Sequence, residues 1–165
     1  MSANGTFDRL TVEVSPNGIS RVGFGDRGTP SVQPPEGLRT VRDAAMRQLA
    51  EYLEGRRTRF DLPLDIGSAT PFRKAVLDEL LSVPFGATVS YRELADRVGC
   101  NSPRAVGQAV GWNPLPILIP CHRVVTRDGC LGGYSGGLDR KVKLLALEGI
   151  VARDASFSSP IAIRV

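Results

Sequence analysis

A chain of 165 residues, 42% of them hydrophobic, can bury one good core or two small ones sharing an interface, so one or two domains are expected. No apolar stretch is long enough to span a bilayer, Met1–Gly5 lacks a basic end followed by an apolar core, and Cys100, Cys121 and Cys130 have no framework spacing. Membrane-spanning and disulfide-stapled classes are thereby excluded, and a soluble cytoplasmic protein in a reducing compartment is expected. With one histidine and no Cys-x-x-Cys pair, no metal site is expected and no cofactor is implied. The net charge is +4, and Gly86–Leu145 holds eight Lys/Arg against four Asp/Glu, which suggests a polyanionic partner only weakly, because many basic surfaces are merely solvated.

Leu10–Val14 alternates, Ser15-Pro16-Asn17-Gly18 is a turn signal and Ile19–Phe24 resumes an extended pattern, which together predict a hairpin. After a loop containing Pro30, Pro34 and Pro35, the residues Val41, Ala45, Leu49 and Leu53 recur at helical spacing, with Gly55 as a stop. Phe60–Leu64 then reads as a short strand, placed at a sheet edge by Pro63. The expectation for residues 1–66 is a small α/β domain, a three-stranded antiparallel sheet plus a helix, with no constellation that reads as a site.

The second region, 67–165, is expected to be mostly helical, giving a mixed α/β (α+β) protein. Pro71–Leu81 predicts a helix with Phe72, Val76, Leu77 and Leu80 facing inward. Ser90 with Glu93 three places on is a capping box opening a helix to about Val98, closed by Gly99. Ser102 as N-cap and Pro103 at the first helical position open another, running to about Trp112. The pair is a helix-turn-helix candidate. Its second helix carries Ala105, Gly107, Ala109 and Gly111, and glycines weaken a helix by about 1 kcal/mol each relative to alanine. Either tight helix packing or close approach to a ligand would compensate. Arg104 in the first turn opposes the helix dipole, which hints at an external task.

Cys121 is followed by His122, the chain's only histidine, and a nearby imidazole is the common way to draw a thiolate from a thiol near neutral pH. On the cysteine alone, the competing reading is a small buried hydrophobe beside Ile117-Leu118-Ile119. The glycine-rich run Gly132–Gly137 suggests a phosphate cradle, but no Lys-Ser/Thr follows it, so triphosphate binding is rejected.

Arg104-Ala-Val-Gly, Asn113-Pro114, Ile119-Pro-Cys-His-Arg-Val124, Gly133-Tyr-Ser-Gly-Gly-Leu138, Lys141 and Leu147-Glu-Gly149 closely resemble the methylated-DNA–protein-cysteine methyltransferases, also called O6-alkylguanine-DNA alkyltransferases. The resemblance is densest from about Thr70 to Gly149, and Tyr52–Leu64 looks like that family's junction between domains. It implies a ribonuclease H-like first domain and a second domain for DNA binding and alkyl transfer. It implies that Cys121 takes the alkyl group from O6-methylguanine, and by extension O4-methylthymine, in one irreversible displacement that consumes the protein. His122 would accept the thiol proton through a water and Glu148 would orient the imidazole. On an active-site strand neighbouring side chains point to opposite faces, so a water link is more sensible than direct contact. The helix-turn-helix would enter the minor groove of double-stranded DNA, with Arg104 filling the gap left by a flipped base. Ser90, Tyr91, Ala105 and Gly107 would lie against the DNA. Tyr91 would also promote nucleotide rotation and donate a hydrogen bond to guanine N3. Asn113, Pro116, Val124, Tyr134 and Ser135 would frame the base pocket. A monomer is implied, with cooperative binding on DNA left open, and no membrane partner.

Several features depart from the family pattern. Phe72-Arg73-Lys74 alters the start of the first helix, where Arg73 is a candidate phosphate contact, and Trp112 is bulky beside the DNA-facing helix. The cysteines and histidines of zinc-bearing relatives are missing from the first domain. Pro160–Ile163, in the tail after Val151, could pack back as a strand. Two rivals stand beside alkyl transfer. One is a lesion-flagging DNA binder, whose relatives lack the cysteine; the other is a Cys–His hydrolase or thiol redox sensor, which would not need Arg104 or the small-residue helix.

Overall fold

The computed structural model describes residues 7, 10–25 and 34–150, so the expected tail strand at 160–163 and the loop at Pro30 lie outside the described residues. The fold is mixed α+β and divides into two compact units. One is formed by residues up to Ser68 together with Pro114–Leu118, the other by Ala69–Asn113 and the chain from Ile119 onward. A single boundary after residue 66 does not anticipate the return of 114–118, which is anchored within the first unit by the Val22 N–H donating to the Pro114 carbonyl at 2.9 Å.

In the first unit β1 (Leu10–Ser15) and β2 (Gly18–Phe24) form the expected antiparallel hairpin, with a register shift between Glu13 and Val14. Val12, Ile19 and Val22 are buried, as are Ala45, Leu49 and Tyr52 of α1 (Glu36–Leu53), which packs on both strands. The helix begins a turn earlier than the apolar spacing indicates, because its first turn after Pro35 is mostly exposed and carries a single half-buried apolar residue, Leu38.

The expected third strand is corrected. Leu64 makes one isolated bridge, parallel, to Ile19. The Ile19 N–H donates to the Pro63 carbonyl at 2.8 Å and Asp65 donates to the Ile19 carbonyl at 2.8 Å, and Pro63, without an N–H, cannot extend the ladder. Gly18, at φ 142°, makes this approach possible, since a Cβ there would sit 2.4 Å from the Pro63 oxygen. The preceding segment is held by a side chain instead: the Gln48 amide bonds both the carbonyl and the N–H of Asp61, at 3.1 and 2.9 Å.

The second unit has α2 (Pro71–Leu81), β3 (Val89–Ser90), α3 (Tyr91–Arg97), α4 (Pro103–Gly111), β4 (Val124–Val125) and α5 (Leu138–Leu147). Thr70 caps α2, the Ser90–Glu93 capping box opens α3, and Ser102 caps α4 with Pro103 at its first position. Val76, Leu77 and Leu80 of α2, Leu94 and Ala95 of α3, and Val106, Ala109 and Val110 of α4 bury the faces where these three helices meet. Phe72 does not join them; at 37% exposure it stands on the first turn of α2, clear of the packed stripe. β3 pairs with β4 in parallel, Val89 with Val124 and Ser90 with Val125. Under α5 a cluster of Val125, Leu131, Leu145 and Ile150 closes the unit, with Leu138 and Val142 packed against it. Among the described residues no helix is long and apolar enough to cross a membrane.

Candidate active site

The site is built on an irregular turn. Asn113 Nδ2 donates to the Ile119 carbonyl at 2.9 Å and so closes the base of the 114–118 excursion. Within that excursion Ile117 is held at φ 74°, a left-handed conformation that costs a non-glycine residue roughly 1–2 kcal/mol and is maintained by burial. Pro120, at φ −80° and ψ 61°, is the centre of an inverse γ-turn in which the Cys121 N–H donates to the Ile119 carbonyl at 2.8 Å. The Arg123 N–H then donates to the Pro120 carbonyl at 3.0 Å, and Cys121–Arg123 forms a 3₁₀ turn.

The expectation that Cys121 and His122 lie on a strand is therefore corrected; the strand begins only at Val124. The reason is Pro120, which has no N–H for a ladder and takes a φ that tightens the chain into successive turns. In a 3₁₀ turn successive side chains diverge by about 120° instead of alternating, so His122 and Arg123 can share one partner while Cys121 belongs to another cluster.

That partner is Glu148, just after α5, with a fully buried side chain. Its Oε1 lies 2.8 Å from His122 Nε2, and Arg123 donates to both oxygens from Nε and to Oε1 from Nη2, at 2.8 to 3.1 Å. The Gly86 N–H donates to Oε2 at 3.1 Å, and Arg123 Nη1 donates to the Val83 carbonyl at 2.5 Å. Burial pulls the Glu148 carboxyl upward, but the hydrogen bonds and charges of His122 and Arg123 outweigh it and hold the group at about 2. An ionised carboxylate only accepts hydrogen bonds, so in a neutral imidazole the proton sits on Nε2 and Nδ1 is the basic nitrogen. Burial drives His122 below its ordinary value, with Glu148 opposing and Arg123 and Lys141 reinforcing. The resting imidazole is neutral at physiological pH.

Cys121 is buried, at 3% exposure. Burial raises its thiol above the ordinary value, opposed by the Asn113 side chain, the positive charge of Lys141, the backbone and Tyr134. The resting group is thus a thiol set among donors and a cation that favour its anion. Tyr91, the first residue of α3, is raised by its burial and then by the charge of Cys121, which places it in the electrostatic reach of the sulfur. Its hydroxyl lies 3.5 Å from the Gly133 carbonyl. The Tyr91 ring rests between two glycines: a Cβ on Gly132, which has φ 62°, would come within 3.1 Å of it, and one on Gly107 within 3.5 Å.

The other sequence-predicted residues distribute as follows. On α4, Arg104, Gln108 and Gly111 are exposed along one face. Ala109 is buried and Gly107 packs beside Tyr91, so part of the small-residue pattern serves helix packing. Ser90 is buried, with its hydroxyl accepting from the Glu93 N–H as helix cap. Val124 is buried, Ser135 is exposed, and Pro116 is buried in the segment that belongs to the first unit. Arg73, a candidate phosphate contact, lies over the Trp112 ring, 4.8 Å from its centroid, which ties α2 to the end of α4. A cavity of about 380 Å³ opens at the ends of β3 and β4, between Ser90, Arg92, Thr126 and Arg127.

Two functional side chains were given no role by the sequence reading. Arg123 follows His122 directly, and its signal is that a buried carboxylate needs a cation. Lys141 occupies a position of the apolar stripe of α5, between Leu138 and Leu144–Leu145, where a charge is out of pattern. Among the described residues no group of three His, Cys, Asp or Glu side chains could hold a metal ion.

A sequence model described as "6-O-methylguanine DNA methyltransferase, DNA binding domain" matches residues 71–150. The methylated-DNA–protein-cysteine methyltransferase of Mycolicibacterium paratuberculosis is 48% identical over 105 residues, 63% of this chain and 63% of that protein. That of Methanothermobacter thermautotrophicus is 42% identical over 118 residues, 71% of this chain and 64% of its own length. The matched stretch thus spans somewhat under two thirds of these relatives. Among solved structures, Mycobacterium tuberculosis OGT in complex with DNA superposes with a TM-score of 0.74 at 38% identity, covering 84% of this chain and 85% of that one. An O6-methylguanine DNA methyltransferase from Methanococcus jannaschii gives a TM-score of 0.63 at 29% identity, covering 91% and 93%. With a helix-turn-helix, a Cys121 turn and a buried His122–Glu148–Arg123 cluster in one unit, and with relatives of this kind, the chain belongs to the methylated-DNA–protein-cysteine methyltransferase family.

Proposed function

We propose that the protein repairs O6-alkylguanine in double-stranded DNA by direct, single-use transfer of the alkyl group to Cys121, in the cytoplasm and as a monomer. The observation that carries this reading is the buried Cys121 thiol beside a His122 whose Nε2 is held 2.8 Å from Glu148. The thiol proton passes through a water to His122 Nδ1, and the imidazolium that forms is stabilised by Glu148. The thiolate attacks the alkyl carbon; an S–C bond forms, the C–O6 bond breaks, and its electron pair goes to the guanine ring. Tyr91, donating a hydrogen bond to N3, offsets the developing charge, and the proton held by His122 passes through solvent to the guanine, which leaves neutral and restores the neutral imidazole. A thioether has no route to hydrolysis in this site, so each chain acts once.

The base must leave the stack to reach a thiol that is 3% exposed. In this reading the exposed face of α4 enters the minor groove and Arg104 fills the vacated position, while Ser90, Ala105 and Gly107 lie near the backbone. Asn113, Val124, Tyr134 and Ser135 frame the base. The Val124 carbonyl accepts from Lys141 with one lone pair, and its second is suited to the guanine amino group. Extension to O4-methylthymine rests on the similar electrophilic methyl group.

The test is stoichiometry. Duplex DNA carrying one O6-methylguanine is incubated in excess over the protein, and restored guanine is counted by chromatography. One guanine per protein is expected; continued turnover would exclude single use, and binding without restoration would favour the lesion-flagging alternative.

A further inference from the structure

Among the described residues of the second unit, Lys141 is a buried charged group that stands outside the Glu148 cluster. Its side chain is fully buried on α5, and its ammonium donates to the carbonyls of Val124 at 2.6 Å, Leu131, and Gly133 at 3.2 Å. An ammonium has three protons, so all are used, and all by neutral acceptors. The charge is solvated but not cancelled. Burying a cation in this way is costly, and packing alone would be served as well by a neutral residue.

Its acceptors lie on two segments that bound the candidate pocket. Val124 lies on β4, three residues after the cysteine, and Leu131 and Gly133 lie on the loop leading to Tyr134 and Ser135. The groups that feel its charge are Cys121 and His122 on the turn; Tyr134 and Tyr91 are the other titratable groups linked to the sulfur, and Glu148 and Arg123 are those linked to the imidazole. Burial lowers Lys141 to about 8, and the charge of Cys121 draws it back upward, which is the same attraction seen from the other partner.

We propose that Lys141 is a positioning residue for alkyl transfer: its ammonium ties the 131–133 loop to the backbone of β4 and supplies the positive charge that supports the Cys121 thiolate once the thiol proton has left. This rests on the alkyl-transfer reading, but the two can fail separately. The proton lost by the thiol goes to His122, and Lys141 neither gives nor takes one during the step.

The experiment compares wild type with Lys141→Gln, which keeps amide donors but removes the charge. The rate at which iodoacetamide alkylates Cys121 is followed at about pH 7, below the value of about 8 at which Lys141 loses its charge, on the peptide that carries the cysteine. The rate is expected to fall about tenfold or more in the variant, and methyl transfer at the same pH to slow by a similar factor. A purely structural role would leave the alkylation rate in place or raise it by loosening the site, and either result overturns the proposal. The rate is read without DNA, so it decides the thiolate role whether or not methylated DNA is a substrate. If Lys141→Gln does not melt cooperatively, Lys141→Arg carries the test. A rate that stays with wild type supports the charge role, and a fall of about tenfold despite the retained charge overturns it.

Discussion

At the scale of single residues, Glu148 is the group around which the buried polar cluster of the candidate site is arranged. A carboxylate at the C-terminal end of a helix is unfavourable by itself, and Glu148 is tolerated there because Arg123 and His122 surround it. Glu148→Gln would leave the Arg123 guanidinium buried without its counter-charge, and a loss of about 3–5 kcal/mol in chemical denaturation is expected. The same cluster makes the fold acid-sensitive. The unfolded chain protonates its histidine near 6.5 while buried His122 resists, so stability falls as pH drops through that value. The lowered Glu148 contributes stability above its ordinary 4.5 and loses it as pH falls toward about 2. The melting temperature is therefore expected to decline from about pH 6.5 and more steeply below about 4.5; an unchanged value across this window would contradict the assignment. Cys121, His122 and Glu148 were legible in the sequence through their resemblance to a family motif. Arg123 was not given a role because its meaning lies in burial against Glu148, and the one signal for Lys141, a charge in the apolar stripe of α5, does not say what the ammonium would touch.

At the scale of elements, the caps were the most readable features. Ser90–Glu93 and Ser102–Pro103 are local hydrogen-bonding units whose outcome depends on a few adjacent residues, and the Thr70 cap of α2, not singled out in the sequence, is of the same kind. The strand at Phe60–Leu64 and the active-site strand were misread because in both a proline removes the N–H a ladder needs, and distant partners then decide the geometry. On α4 the structure separates two reasons for small residues, and Gly111 isolates the external one. A Cβ there meets nothing within 4 Å, so Gly111→Ala is expected to stabilise the fold by up to about 1 kcal/mol. If that face enters a minor groove, the same variant weakens DNA binding while raising the melting temperature. Unchanged affinity would place the groove contact elsewhere. Arg104→Ala should weaken binding to lesion-bearing duplex more than to undamaged duplex, as measured by titration at fixed salt. An equal loss on both would reduce Arg104 to a phosphate contact.

At the scale of the whole molecule, the two units carry different shares of the proposed function. The nucleophile, its base and the helix-turn-helix all fall in the second unit, within residues 71–150 that the family model matches. The mixed α+β class was readable from the change in periodicity along the chain. The return of Pro114–Leu118 to the first unit was not, because it is a tertiary contact of five residues with no pattern of their own. A chain of charge +4 that binds DNA should do so with an affinity that falls as salt rises, and a salt-independent affinity would argue against phosphate contacts. The most direct measurement remains the mass of the Cys121 peptide after incubation with duplex DNA containing one O6-methylguanine, with Cys121→Ala as control. The expected result is one methyl in place of one hydrogen on that peptide, in proportion to the protein and absent from the control. An unmodified peptide recovered from protein that has bound the lesion would contradict alkyl transfer to Cys121.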